Sequence, residues 1–220
     1  MSTAGRSPTA KLFTIISYWD NTDLVARLRE RNIFVCIKTG RMSTLNYPGY
    51  TEYAIPKKNV LVISCMDLRL TDNLVDFLHF DNLQNRYDHF ILAGSALCAC
   101  ECHEELFKKE ILLHYDHFKH WRKSLLDHLE LAVTLHDIRD VYIVEHEDCG
   151  AYKGFLKKGT FKDREKELKT HALFAKTLAD DIHSNTYLEA RPGGKKYQLQ
   201  VHCFFIDLRG DVSLLYTTRP

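Results

Sequence analysis

The stretch VLVISCMDLR at residues 60–69 and the stretch VYIVEHEDCGA at residues 141–151 decide the fold predicted for this chain. Each begins with an apolar, largely β-branched run, which predicts a buried strand. Each continues with metal-binding and charged side chains, from Cys65 in the first and from His146 in the second. Residues just past the strand ends of an α/β sheet face the crevice where such folds bind ligands. The two stretches therefore predict one shared site.

The candidate metal ligands are Cys65, His146 and Cys149. Zinc prefers thiolate and imidazole ligands, and catalytic zinc sites commonly use three protein ligands with a fourth position for water or a carboxylate. His146 and Cys149 are three residues apart in one turn, and neighbouring parallel strands can bring Cys65 beside them. This pattern predicts Zn²⁺ as the cofactor.

Asp67 and Arg69 are the candidate catalytic residues. Two thiolates and a neutral imidazole cancel the charge of zinc, so a water there is expected to be less acidic than on an all-histidine centre, where its pKa is about 7. A carboxylate that accepts the proton of this water would help, and Asp67 is placed to do so. Arg69 can hold Asp67 by a two-pronged hydrogen bond and keep it ionised. Asp67 can instead bind zinc as a fourth ligand, which gives an open and a closed arrangement.

Gly150 is the candidate substrate-binding residue. A glycine lets the backbone pass close to a ligand, and the amides after Cys149 can begin a helix whose N-terminus favours an anion. Glu147 and Asp148 are interpreted as solvated loop acids, with a role in orienting His146 as the alternative.

The composition indicates a globular protein and excludes several classes of function. Of 220 residues, 45% are hydrophobic, and thirty basic against twenty-nine acidic side chains give a formal net charge of +1. A net charge so close to zero gives no electrostatic reason to expect binding to nucleic acid. The sequence contains no apolar stretch long enough for a membrane helix and no apolar signal core near its start, so neither membrane insertion nor secretion is expected. Seven cysteines, an odd number, favour reduced thiols in the cytoplasm.

From residue 59 onward, strand and helix patterns alternate as in an α/β fold with a mainly parallel β-sheet flanked by helices. Strands are predicted at 60–64, 90–93 and 141–144, with a closing hairpin from 199–206 and 212–216. Helices are predicted near 72–80, 121–136 and 163–183, the last with Leu168, Ala172, Leu173, Ala175 and Leu178 on its apolar side. We interpret 59–220 as a zinc-binding α/β catalytic domain and 1–58 as an N-terminal arm rather than an independent domain.

The two motifs, Cys-x-Asp-x-Arg and His-x-x-Cys-Gly, each after a strand, resemble those of the β-class carbonic anhydrases. Residues 124–133 (SLLDHLELAV) and the end strand around 204–215 are also similar. The resemblance covers roughly residues 59–215. It implies a mainly parallel sheet flanked by helices, in a homodimer or higher homo-oligomer with sites at the subunit interface.

The resemblance also implies roles for the site residues. Cys65, His146 and Cys149 would bind zinc, and Asp67 with Arg69 would form the catalytic dyad. The implied activity is that of a carbonate dehydratase, a lyase that hydrates carbon dioxide to bicarbonate reversibly by attack of zinc-bound hydroxide. Its partners would be carbon dioxide and bicarbonate.

The chain departs from the family pattern at several positions. The family usually has Arg-Asn-Ala-Gly-Asn after the second strand, whereas residues 91–95 read ILAGS. The substrate-binding glutamine that many members carry near the N-terminus has no clear counterpart, and residues 97–123 resemble an insertion. These departures concern contacts to substrate and between subunits, and they leave the metal set intact.

Alternatives to this interpretation are a hydrolase of carbonyl sulfide or carbon disulfide on the same scaffold, and a catalytically inactive zinc-binding structural or regulatory protein. The Asp67–Arg69 pair favours an enzyme, although it can also be read as a structural ion pair. The crowded Cys98, Cys100, Cys102 and His103 can be read as a second metal site or as a loop. His114, His117 and His120, three residues apart, can gather on one helix face as a proton shuttle or be solvated.

Overall fold

The computed structural model describes residues 33–38, 41–49, 51–99, 115–156, 161–189 and 193–218. The strands of this part of the chain are β1 (Ile33–Lys38), β2 (Arg41–Asn46), β3 (Val60–Ser64), β4 (Tyr87–Ile91), β5 (Asp140–His146), β6 (Tyr187–Leu188), β7 (Lys196–Tyr197), β8 (Gln200–Ile206) and β9 (Val212–Thr217). Its α-helices are α1 (Thr71–Phe80), α2 (Ala96–Ala99), α3 (Tyr115–His136), α4 (Gly150–Phe155) and α5 (Arg164–Ser184), and a 3-10 turn spans Leu68–Leu70.

The central sheet has five strands in the order β4-β3-β5-β8-β9. The first four are parallel, and β9 runs antiparallel to β8. The mainly parallel sheet predicted from the sequence is therefore confirmed. In the register of β3 with β5, Ser64 lies opposite Val144, so the residues that follow these two strands emerge side by side at one edge of the sheet.

The sheet is covered on both faces, because alternate residues of its strands point to opposite sides. On one face, Ile63 and Ile143 pack in a cluster with residues of α3 and α5. On the other face, Val62 and Tyr142 pack in a second cluster with residues of α1. Burial on both faces explains why β3 and β5 read as nearly continuous apolar runs.

The described part of the predicted N-terminal arm contributes to the second cluster. Tyr47 and Tyr53 are almost fully buried there, and the Tyr53 hydroxyl donates to the carboxylate of Asp81. The β1–β2 hairpin was not predicted from the sequence. The division at residue 58 stays a prediction, and the apolar stretch at 12–18 and the helical stretch at 23–30 lie outside the described residues.

Several sequence predictions of the other elements are confirmed, with shifted ends. The strands at 60–64 and 141–144 and the helix near 72–80 are present, whereas the strand predicted at 90–93 is centred earlier, at Tyr87–Ile91. The helix predicted at 121–136 begins at Tyr115 instead of residue 121. The closing hairpin is confirmed, and Gly210 in its turn has a φ of +99°, a conformation that favours glycine.

The predicted apolar side of α5 is partly wrong. Leu173 is 56% exposed, while two polar residues, Glu167 and His171, face the protein interior. Both are buried because they have specific polar partners: Glu167 accepts from the Asp148 amide, and His171 pairs with Glu145. Within the described ranges, no helix is long and apolar enough to cross a membrane.

Candidate metal centre

Cys65, His146 and Cys149 come together at the carboxyl edge of the sheet. Cys65 directly follows β3, His146 is the last residue of β5, and Cys149 caps the start of α4. One donor atom from each lies within 4.8 Å of the other two. We call these three residues the donor group; within the described part of the chain, it is the one cluster of this kind that could hold a metal ion.

The ring of His146 is oriented for metal binding. Its Nδ1 lies 2.9 Å from the carbonyl oxygen of Glu147, so Nδ1 carries the proton and donates it. In the neutral ring, Nε2 is then the unprotonated nitrogen, and it is buried without a hydrogen-bond partner. A buried imidazole nitrogen left unpaired, with the other nitrogen fixed by a backbone carbonyl, is the usual state of a histidine ligand.

The spacing of the two sulfur atoms fits a zinc ion. Two thiolates that each lie about 2.3 Å from zinc at a tetrahedral angle are about 3.8 Å apart. The observed distance between Cys65 Sγ and Cys149 Sγ is 3.9 Å. Together with the lone pair of His146, this arrangement satisfies the donor chemistry of zinc without rearrangement of the two strands.

The thiols influence each other's ionisation. A hydrogen bond from Cys149, with contributions from His146 and from the Gly94 amide, lowers the pKa of Cys65 to about 4 although burial opposes the shift. The same hydrogen bond and burial raise the pKa of Cys149. Burial tends to lower the pKa of His146, but the neighbouring Cys65 thiolate outweighs it and raises that pKa. The direction of the shift favours the thiolate form of Cys65, which is the form that binds a metal cation.

Asp67 and Arg69 form the two-pronged pair that the sequence predicted. Arg69 donates from Nε to Asp67 Oδ1 over 2.9 Å and from Nη2 to Asp67 Oδ2 over 2.7 Å. The hydrogen bonds from Arg69 hold the pKa of Asp67 at about 2, so its carboxylate is ionised at neutral pH. Asp67 Oδ2 is 4.0 Å from His146 Nε2, which brings the carboxylate to the margin of the donor group.

Arg69 has a second carboxylate partner that sequence reasoning missed. It donates from Nη1 to Asp148 Oδ2 over 2.9 Å and from Nη2 to the Asp148 carbonyl over 3.0 Å. Asp148 also pairs with Lys153 and has a φ of +62°, so it is held in place and is not a free loop acid. We call Asp67, Arg69 and Asp148 the ion-pair cluster. The sequence did contain a signal for this contact: Asp148 is a short polar residue between the predicted ligands His146 and Cys149, and aspartate tolerates a left-handed backbone conformation.

A cleft of about 170 Å³ opens beside the donor group. Its walls are largely apolar, with Leu70, Leu74, Val144 and Ile206 among the lining residues. His89 on β4 also lines the cleft, and its Nε2 lies 2.6 Å from Ser64 Oγ. The space is therefore small and mostly apolar, with Cys65, Asp67 and His146 among its polar lining residues.

Gly150 is the first residue of α4, as expected from the sequence, and it is exposed. A Cβ added there would meet nothing within 4 Å, so packing within the chain does not require a glycine. The second metal site suggested at Cys98, Cys100, Cys102 and His103 falls largely outside the described residues, of which it shares only Cys98, a buried side chain. Of the three histidines suggested as a proton shuttle, His114 and the side chain of His117 are not described, and His120 is exposed.

Comparisons with known proteins found sequence relatives without an assigned role. No protein-family model matches the chain. An uncharacterized protein of Rickettsia conorii is 26% identical over 199 residues, 90% of this chain and 88% of that protein. A second uncharacterized protein, of Rickettsia bellii, is 26% identical over 162 residues, 74% of this chain and 84% of that protein.

The solved structures with similar folds include several carbonic anhydrases. A tetrameric β-carbonic anhydrase of Sordaria macrospora overlaps 96% of this chain and 95% of its own at 13% identity, with a TM-score of 0.45. A carbonic anhydrase of Glaciozyma antarctica overlaps 98% of this chain and all of its own at 16% identity and a TM-score of 0.36. At these identities and TM-scores the overlaps do not assign an activity to this chain.

Proposed function

We propose that this protein is a zinc-dependent carbonic anhydrase that hydrates carbon dioxide to bicarbonate reversibly. The observation that carries the proposal is the donor group itself: two sulfur atoms 3.9 Å apart and an unpaired, buried His146 Nε2, beside a carboxylate held by an arginine. This combination offers three zinc ligands and an ionised group next to the position left for a fourth.

Cys65, His146 and Cys149 would hold the zinc ion. When bound, zinc supplies a Lewis acid that makes a water molecule nucleophilic near neutral pH. The carbonyl of Glu147 keeps the His146 proton on Nδ1 and so leaves Nε2 for the metal. Cys149 must lose its proton when zinc binds, because its pKa is raised in the metal-free protein.

Asp67 would receive a hydrogen bond from the nucleophile and orient it. Arg69 serves this role in two ways: its two-pronged hydrogen bond fixes the direction of the carboxylate, and it keeps the carboxylate ionised. In this proposal the pairing with Arg69 is the open arrangement of Asp67. Rotation of Asp67 away from Arg69 would close the site by making Asp67 the fourth ligand.

The apolar cleft would receive carbon dioxide. Carbon dioxide is small and lacks a net charge, so a largely apolar space of about 170 Å³ suits it better than it suits a charged metabolite. Bicarbonate is an anion, and we propose that the backbone at Gly150, at the start of α4, contributes to binding it.

We further propose a cytoplasmic protein that assembles as a homodimer or a higher homo-oligomer. Cys65, Cys98, Cys149 and Cys203, the cysteines whose side chains the structure describes, are free thiols, which suits a reducing compartment. Among the residues that line the cleft, Met66 is 68% and Ile91 is 55% exposed, and Leu68, two residues after Met66, is 86% exposed. Apolar side chains grouped on a surface commonly mark an interface. Light scattering on the purified chain would check the assembly, and a monomer at micromolar concentration would contradict it.

Stopped-flow hydration of carbon dioxide by zinc-quantified protein at pH 7 and pH 8.5 tests the proposed activity. We expect hydration at both pH values and a faster rate at pH 8.5, because a centre with two thiolates leaves its water only weakly acidic. Asp67 does not contribute to this rise, since its pKa of about 2 keeps it ionised throughout. A rate that is equal at the two pH values would contradict the thiolate explanation.

Zinc-loaded protein without hydration at either pH would contradict the carbonic anhydrase itself. That result would leave the two alternatives, hydrolysis of another small linear molecule such as carbonyl sulfide or an inactive zinc-binding scaffold.

A further inference from the structure

Glu145, the residue before His146 in β5, carries a buried carboxylate next to the donor group. Glu145 is 1% exposed, and its two oxygens have different partners. Oε2 lies 2.7 Å from Nδ1 of His171 on α5, a ring that is fully buried. Oε1 accepts from the backbone amide of Ala96, the first residue of α2, over 2.9 Å. Burying a carboxylate costs free energy unless its oxygens are paired. The bonds to His171 and to the Ala96 amide therefore hold the Glu145 side chain in place.

The Ala96 amide belongs to the turn that contacts Cys65. Two residues before Ala96, the Gly94 amide donates to Cys65 Sγ over 3.3 Å. Gly94 has a φ of +73°, and a Cβ there would lie 2.9 Å from the Cβ of Ala151 on α4. The turn is thus in contact with the element that follows Cys149 as well as with Cys65.

Hydrogen bonds anchor this turn at both ends. Before the turn, the Leu92 amide donates to the Ser64 carbonyl, and within it Ser95 Oγ donates to the Ile63 carbonyl. At its exit, the bond from the Ala96 amide to Glu145 ties the turn to β5, the strand that carries His146. Glu145 is therefore one of the groups that hold the turn carrying the Gly94 amide.

We propose that Glu145 is a positioning residue of the metal centre: it fixes the turn at 94–96 so that the Gly94 amide is aimed at Cys65 Sγ. This inference rests on the zinc site proposed above. Groups that hydrogen-bond to metal ligands or orient them typically change metal affinity 10- to 100-fold when they are removed. Glu145 would exert an effect of that size without touching the metal.

Metal titrations of three variants test this role. Glu145→Leu removes both acceptors at similar volume, whereas Glu145→Gln keeps an oxygen for the Ala96 amide. Tyr142→Phe is the matched control, because Tyr142 lies on the same strand and its buried hydroxyl donates to Asp81 on the other face of the sheet. Zinc affinity is measured by competition with a chromophoric chelator, and the thiolate-to-cobalt absorption of the Co²⁺ form reports the geometry of the ligands.

We expect Glu145→Leu to bind zinc about 10- to 100-fold more weakly than the wild type and to shift the thiolate-to-cobalt band. Glu145→Gln is expected to stay within about threefold, with the wild-type band, and Tyr142→Phe to match the wild type. Equal affinity of Glu145→Leu and wild type would overturn the inference, as would an equal loss in Glu145→Gln or Tyr142→Phe.

Two further points keep the test decisive. If Glu145→Leu does not fold, Glu145→Met, which is unbranched and of similar length, replaces it with the same expected result. Failure of the wild type to bind Co²⁺ with a thiolate signature would contradict the zinc site itself. Normal binding by the wild type with no change in Glu145→Leu would contradict only the role of Glu145.

Discussion

The donor group and the ion-pair cluster lie side by side but differ in their surroundings. His146 and Cys149 are 4% and 1% exposed, whereas the side chains of Arg69 and Asp148 are 43% and 41% exposed. Groups that are buried with few partners hold a cation strongly, because no water competes for them, while exposed ion pairs contribute little to stability. We infer that metal binding resides in the donor group and that the ion-pair cluster governs turnover.

The largest effect is expected from removing a ligand. Cys149→Ser replaces a thiolate by a hydroxyl, a poor zinc ligand, so zinc content measured by atomic emission should fall from about one ion per chain to near zero. Cys203→Ser is the matched control, since Cys203 is also buried but bonds only to the Ala175 carbonyl. Unchanged zinc in Cys149→Ser would remove Cys149 from the ligand set.

Asp67→Asn should separate binding from turnover. The amide cannot accept a proton from the nucleophile, so we expect full zinc occupancy with hydration slowed by about 10²-fold or more. The control is Asp72→Asn, an exposed carboxylate in the first turn of α1. A rate near that of the wild type would show that the Asp67–Arg69 pair is only structural.

Arg69→Gln should have a smaller effect on the rate. The carboxylate of Asp67 remains but loses its two-pronged partner, so its pKa should rise from about 2 towards the ordinary range and its orientation should vary. We expect hydration to slow about tenfold at pH 8.5 with zinc retained, a loss typical of misplacing a catalytic group. Arg122→Gln, which breaks the ion pair with Asp181, should leave the rate unchanged. Loss of zinc in Arg69→Gln would contradict the division between the two clusters.

Asp148→Asn should have the smallest effect. Asp67 still holds Arg69 by two hydrogen bonds, and the Asp148 carbonyl still accepts from Nη2. A half-exposed ion pair contributes about 0.2–1 kcal/mol, so the free energy of unfolding should fall by no more than that and the rate by about two- to fivefold. Thermal denaturation and stopped-flow rates would measure both, and a loss as large as that of Asp67→Asn would place Asp148 among the catalytic residues.

The contrast between the two clusters also explains what the sequence could predict. The donor group was predictable because residues that follow parallel strands must meet at one edge of the sheet, and because zinc requires few residue types. The Asp67–Arg69 pair is local, two residues apart, so spacing alone indicated it.

The missed contacts all join residues that are distant in the sequence. Asp148 bonds to Arg69, 79 positions earlier, through a left-handed backbone conformation that no periodicity reveals. Glu145 in β5 and His171 in α5 each interrupt an apolar pattern. The burial of Glu167 and His171 is also why the predicted apolar side of α5 was partly wrong. Polar residues at core positions indicate buried hydrogen bonds, but the sequence alone did not identify the residues to which they bond.

X-ray absorption spectroscopy on the zinc-loaded protein tests the central claim most directly. We expect one zinc per chain with two sulfur ligands at about 2.3 Å and the remaining ligands nitrogen or oxygen at about 2.0–2.1 Å, including one imidazole. In Cys65→Ser, one sulfur should be lost at whatever zinc remains bound. A shell with no sulfur, or one with the same two sulfur atoms in Cys65→Ser, would contradict the assignment of Cys65, His146 and Cys149 as the zinc site.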